Sequence, residues 1–155
     1  MPFKIKFLIF SGAFLWCGGV FYQPLISLNK SFAYAYPFVK KTFSMFCHQD
    51  KSKLFNFFGY ETLTCSRCTG IYLGALLVSF ILLFISLKKE LDIKYLFLSL
   101  IPMIVDIILY TSGIYSYNTY IALATGFLLG STGILYLYTG ISNLLTENKL
   151  LRKAA

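Results

Sequence analysis

Four side chains of this 155-residue chain have the chemistry of metal ligands and lie close together in sequence: Cys47, His48, Cys65 and Cys68. They include three of the four cysteines and the only histidine. Thiolates and imidazoles are the donors of tetrahedral zinc sites, and two cysteines two residues apart can grip one ion. The four therefore read as a Cys3His site, with zinc the best match and copper or iron the alternatives. Adjacent residues bind one ion only through a sharp backbone turn, so Cys47 or His48 could instead support the ligands from behind. A second chemistry stays open. A Cys-x-x-Cys pair can cycle between dithiol and disulfide, and a helix start beside Arg67 would lower a thiol pKa. A structural zinc, or a disulfide from Cys47 to one of the pair, would merely pin the loop. His48-Gln49-Asp50 with Cys65-Ser66-Arg67-Cys68 faintly echoes the zinc deaminase pattern. Asp replaces Glu, Thr64 replaces Pro, and those enzymes are soluble α/β proteins, so that reading is set aside.

The elements that must position these residues are membrane helices. The chain is 57% hydrophobic and only 13% charged, with a mean hydropathy of +0.70. Soluble domains are about 45–50% apolar and about 25% charged. The net charge of +8 does not point to nucleic acid, because the 14 basic residues are dispersed over loops and termini. Four apolar stretches, near residues 7–26, 69–87, 93–111 and 119–140, approach the ~20 residues that cross a bilayer. The expected fold is an all-α integral membrane protein, one domain over 1–155, with four transmembrane helices and the Cys/His loop 27–68 between the first two. The first stretch lacks a cleavage site for a signal peptide, and Cys17 reads as a small packing residue. The aromatics and lysines of 31–46 suit the membrane–water interface. Counting Lys and Arg gives eight on the side of the termini against six on the other. That favours cytoplasmic termini in the cell membrane and an outward-facing Cys-rich loop.

Thr69–Gly74, TGIYLG, resembles Thr125–Gly130, TGFLLG. The match indicates two repeated helical hairpins running in parallel. Gly70 and Gly74, like Gly126 and Gly130, lie four apart and line one helix face, which lets backbones approach closely. They are expected to pack the second and fourth helices together, and a homo-oligomer through the same faces is the weaker reading. Asp106 is an ionisable residue inside a span, which is a functional hypothesis by default. It lies about 7–8 Å below the outer end of its helix at 1.5 Å per residue. That is the depth of Tyr72–Gly74. Arg67 or His48 could reach it, and Tyr72 could hydrogen-bond it. Asp106 and Arg67 are therefore expected to orient the ligands, as metal-bound histidines require.

The segment CHQ…FGYETLTCSRCTGIYLG resembles a family of bacterial and archaeal membrane proteins classed as a domain of unknown function. The resemblance runs through Cys47, His48, Gln49, Phe55, Gly59, Cys65, Arg67, Cys68, Thr69, Gly70, Ile71, Tyr72 and Gly74, then Pro102, Asp106, Thr125, Gly126 and Gly130. It covers roughly Cys47 to Gly133. Where the family pattern reads Pro-Glu-Arg-Ser, this chain has Lys51, Ser52, Lys53 and Leu54. A lysine there keeps charge but loses the guanidinium fork. The resemblance implies the fold and the site and supplies no activity.

Three functions follow from these residues. The first is a metal-binding membrane protein, structural or catalytic. The second is a membrane thiol–disulfide oxidoreductase using Cys65 and Cys68. The third is a transporter or metal-handling protein, disfavoured by the few polar residues within the spans. No Walker, Rossmann, haem-attachment or H-E-x-x-H pattern is present.

Overall fold

The computed structural model of the protein describes residues 2–57, 59–85 and 92–154, with the backbone alone at 27–28 and 146–154. It is mainly helical: α1 (Phe3–Val20), α2 (Tyr22–Leu28), α3 (Tyr36–Ser44), α4 (Ser66–Phe84), α5 (Ile93–Thr111) and α6 (Thr119–Ala154). Among the described residues, four helices are long and apolar enough to cross a membrane: α1, α4, α5 and Thr119–Leu145 of α6. The expected helical membrane fold is therefore what the chain adopts.

Three boundaries differ from the sequence reading. The first helix stops at Val20 rather than near residue 26. Pro24 explains this, because a helical proline clashes with the carbonyl four residues earlier and cannot bond to it. The chain breaks at Phe21 and restarts as α2. The second span begins at Ser66 instead of Thr69, and its expected end at residues 86–87 lies outside the described residues, as do Lys88 and Lys89. The fourth helix runs past residue 140.

The loop between α1 and α4 is more ordered than its sequence suggested. It contains an antiparallel hairpin, β1 (Leu54–Phe57) and β2 (Tyr60–Cys65), with Leu54 opposite Cys65. Gly59, at φ +84°, sits at its turn, where a side chain would be strained. Thr62 and Thr64 supply β-branched residues for the strand. A small core of Val20, Phe43 and Leu63, flanked by Trp16, Val39 and Tyr72, joins this module to the ends of α1 and α4. Tyr34, Phe38, Met45 and Phe46 remain exposed on the same module, as an interfacial segment requires.

Within the membrane, α4 and α6 pack at backbone distance. A Cβ on Gly70 would meet the Leu123 carbonyl oxygen at 2.2 Å, and one on Gly126 would meet that of Arg67 at 2.2 Å. Gly74 faces the Phe127 carbonyl and Gly130 that of Ile71 in the same way. These contacts are reciprocal. One shift along the sequence carries Gly70 to Gly126, Arg67 to Leu123, Gly74 to Gly130 and Ile71 to Phe127. Such exchange of partners is the mark of a local two-fold axis. α1 packs on α4 and α5 on α6, as a duplicated hairpin would. The glycine faces considered open to a second copy are thus filled by each other.

Lys6, in the first turn of α1, is buried. Its ammonium donates to the carbonyls of Leu82 at 2.9 Å and Ile85 at 3.0 Å and lies 5.6 Å from the Tyr138 ring centre. It caps the last turn of α4, whose final carbonyls have no partner within the helix.

The glycine contact makes a two-sided prediction. Gly126→Ala should lower the unfolding temperature in detergent, since overpacking costs about 1–3 kcal/mol. Gly133→Ala, where a Cβ meets nothing within 4 Å, should leave it unchanged or raise it. Equal effects of the two would refute the close α4–α6 approach.

Candidate metal centre

The site forms where β2 runs into α4. Cys65 precedes the first helical residue, Ser66, and Cys68 lies one turn further on. Both thiols therefore sit at the positive end of a helix. Cys47 arrives from the end of α3. Residues 45 and 46 make a turn there, and the Cys47 N–H donates to the Phe43 carbonyl at 3.0 Å. The Sγ atoms of Cys47, Cys65 and Cys68 all lie within 4.8 Å of one another. Tetrahedral zinc with Zn–S bonds of about 2.3 Å places its sulfurs about 3.8 Å apart. A small contraction of this triangle would meet that geometry, so the donor set fits a thiophilic ion.

Gln49 fixes the approach of Cys47. Its backbone holds φ at +50°, an uncommon region for a residue with a side chain. Its side-chain amide donates to the carbonyls of Lys40 at 3.1 Å and Leu63 at 3.0 Å. One residue thereby ties α3 to β2. The Cys65 N–H donates to Cys47 Sγ at 3.2 Å. The Cys47 thiol is held well below the ordinary thiol range, because the Cys65 and Cys68 thiols and the backbone N–H groups of Cys65 and Gln49 stabilise its sulfur as thiolate. Cys65 moves the other way, pushed up chiefly by its hydrogen bond to Cys47. The cluster thus gives up one proton readily and holds the next, as coupled sites do.

His48 is exposed and is not one of the three donors gathered here. Cys17 is buried apart from the cluster, and its thiol donates to the Tyr72 carbonyl at 3.3 Å. The Tyr72 ring packs edge-on against Trp16 at 6.0 Å rather than reaching Asp106.

Arg67, between the two cysteines, points to Asp106. Its Nε donates to Asp106 Oδ2 at 3.0 Å, and its Nη2 donates to the same oxygen. The Tyr115 hydroxyl donates to Oδ1. Asp106 is only 4% exposed, so this carboxylate is neutralised and hydrogen-bonded, as a buried charge must be. The guanidinium also lies 5.5 Å from the Tyr117 ring centre, within cation–π range. Tyr115 and Gln49 were given no role from sequence. Gln49 stood in the Cys-His-Gln element, but nothing in the sequence tied Tyr115 to Asp106.

Buried hydroxyls brace the cysteines. Thr64 and Thr69 share a hydrogen bond at 3.0 Å, the Ser66 hydroxyl donates to the Lys53 carbonyl at 3.0 Å, and the Thr62 hydroxyl donates to the Thr64 carbonyl at 2.8 Å. Thr62, Thr64, Ser66 and Thr69 are all at most 2% exposed.

With this geometry in place the comparisons can be read. The DUF2085 family of predicted membrane proteins matches residues 47–136, more than half of the chain, from Cys47 to Tyr136 in α6. The chain belongs to this family. An uncharacterized protein of Methanocaldococcus jannaschii is 37% identical over 100 residues, 61% of this chain and 63% of the relative. The chain thus spans somewhat under two thirds of that relative. An uncharacterized protein of Methanothermobacter thermautotrophicus is 52% identical over 33 residues, 21% of this chain and 30% of the relative. No solved structure matches the chain significantly.

Removing one partner of a buried ion pair costs about 3–5 kcal/mol by leaving the other charge uncompensated. Asp106→Asn should therefore lower the unfolding temperature sharply and speed alkylation of Cys65 and Cys68 by maleimide. Tyr115→Phe, which removes one hydrogen bond, should do much less. An Asp106→Asn protein with wild-type stability and labelling would break the link between this pair and the cluster.

Proposed function

We infer that this family member holds a transition-metal ion, zinc first, on Cys47, Cys65 and Cys68 at one membrane face. The convergence of three sulfurs from two separate elements carries this reading. Packing alone does not require it: a cysteine that only fills space needs no sulfur neighbours. Soft thiolates select zinc, copper(I) or iron–sulfur groups over hard cations. His48 follows Cys47 directly and is the nearest candidate for a fourth ligand once its exposed ring turns inward. A water in that position would instead leave the ion open and make the centre catalytic in type, with metal-activated water as nucleophile. Arg67 and Asp106 fix the first turn of α4 and so orient the Cys65–Cys68 edge of the triangle. The centre lies on the outer face of the cell membrane, with both termini cytoplasmic.

One observation favours a second reading. Cys65 and Cys68 occupy the start of α4, the arrangement that activates the attacking thiol of dithiol oxidoreductases. In that case the pair cycles between dithiol and disulfide, exchanging two electrons and two protons with the thiols or disulfide of a substrate protein.

Elemental mass spectrometry on protein purified without chelator or reductant separates the two. About one zinc per chain is expected, with none in Cys65→Ser/Cys68→Ser. His48→Ala should keep the metal with an affinity weakened about 10–100-fold, the size of effect that orienting partners have. Metal-free wild type whose alkylatable thiols increase with reductant would replace the metal reading with the redox one. A fluorescent protein fused after Ala155 should glow if the C-terminus is cytoplasmic, and a dark fusion would reverse the orientation.

A further inference from the structure

Three thiolates around a divalent ion keep one negative charge in excess. Charge at the start of a membrane span is costly unless it is paired or hydrogen-bonded. Arg67, the cation closest to Cys65 and Cys68 in sequence, is already engaged by Asp106. Donated hydrogen bonds are the remaining means of spreading the charge of the sulfurs. Cys47 Sγ has one from the Cys65 N–H at 3.2 Å. Among the described residues, Cys68 Sγ accepts none from an N–H.

Tyr72 is placed to supply the missing donor. Cys65, Cys68 and Tyr72 stand at i, i+3 and i+7 and so share one face of α4. Long side chains on a helix lean back over the preceding turn, a direction that takes the Tyr72 ring towards Cys68. All three thiols act electrostatically on the Tyr72 hydroxyl, Cys68 most strongly. From α1, the Trp16 ring packs against Tyr72 at 6.0 Å, and against Phe43 at 5.0 Å and Phe46 at 5.5 Å, just before Cys47. The Cys17 thiol, on the Tyr72 carbonyl, holds α1 at this level. The Trp16 indole N–H is buried with no acceptor in good geometry, which is costly out of water. The Tyr72 hydroxyl is the group on which it acts. An N–H directed at the phenol oxygen leaves the phenol proton to point onward.

We propose, resting on the metal reading, that Tyr72 is a positioning residue of the centre: its hydroxyl, oriented by the Trp16 N–H, donates to the Cys68 thiolate from the membrane side. The bond draws charge from the sulfur and makes it a poorer nucleophile. It also ties the ion to α1 through Trp16.

The test uses the full chain in detergent, loaded with cobalt(II) or zinc, beside Tyr72→Phe, Trp16→Phe and Tyr138→Phe. Tyr72→Phe keeps the ring and removes only the hydroxyl. Its sulfur-to-cobalt charge-transfer band should move to lower energy, and that of Trp16→Phe should move less far in the same direction. Maleimide should alkylate zinc-loaded Tyr72→Phe several-fold faster than zinc-loaded wild type. Trp16 is the only tryptophan, so zinc should shift the protein's indole emission in wild type and not in Tyr72→Phe. Tyr138→Phe deletes another buried hydroxyl, one without a partner, and should leave band and rate unchanged. Should Tyr72→Phe not fold, Trp16→Phe decides alone. Wild type that binds cobalt while both variants keep its band and alkylation rate would overturn the role of Tyr72 and leave the metal reading standing. An equal shift in Tyr138→Phe would overturn the hydrogen bond as the cause. Wild type that takes up no cobalt would overturn the metal reading and this role with it.

Discussion

The contact between α4 and α6 governs the architecture. Carbonyl oxygens of each helix occupy the space that a side chain would take on the other. Apolar side chains gain little from leaving lipid for one another, so helices in a bilayer associate through close backbone packing and polar contacts. Glycine permits that approach. Arg67 stands at the top of this contact: its carbonyl packs on Gly126 while its guanidinium crosses to Asp106 on α5. One residue thus joins three of the four spans at the level of the cysteines. The local two-fold axis relates its backbone contact to that of Leu123, but the equivalent residue carries no charge. The ion pair is what breaks the symmetry of the duplicated hairpins and confines the polar chemistry to one side.

The module outside the bundle does a different job. α3 and the β-hairpin would have no reason to hold together in water with so small a core, and they do not stand alone. Trp16 from α1 and Tyr72 from α4 extend the core into the bundle. Gln49 then stitches α3 to β2 through two carbonyls. The strained backbone of Gln49 is tolerable because the surrounding contacts over-determine it. The outcome is that Cys47, which is 18 residues from Cys65 in sequence, has its sulfur against the Cys65 amide. The three sulfurs are thereby held close together by contacts within the chain.

Among the described residues, two buried charges of the spans have partners within the protein. At the cysteine end, Asp106 is met by Arg67 and Tyr115. At the other end, Lys6 is met by the terminal carbonyls of α4 and the Tyr138 ring. Each buried charge is met by hydrogen-bonding groups, as a low-dielectric interior demands.

Much of this was legible in the sequence because it follows from local rules. Hydrophobic length determined the membrane spans, since a helix must be long enough to cross the apolar layer. Glycine spacing determined which faces of α4 and α6 could approach, since four residues is nearly one turn. The depth of Asp106 followed from the rise per residue, and so did its reach to Arg67. Pro24 was there to be read as the end of α1 and was missed, because hydropathy alone ran on through Phe21–Ile26. The hairpin was hidden in a loop too short for periodicity to speak, although Gly59 and the threonines marked it. Tertiary structure alone decided which donors meet. His48 and Cys47 are neighbours in the chain, yet only the cysteine turns inward. Tyr115, far from any motif, closes over Asp106. Those outcomes depend on the path of the backbone between elements, here the left-handed turn at Gln49 and the return of the α5–α6 loop, and residue types and spacings do not encode that path one position at a time.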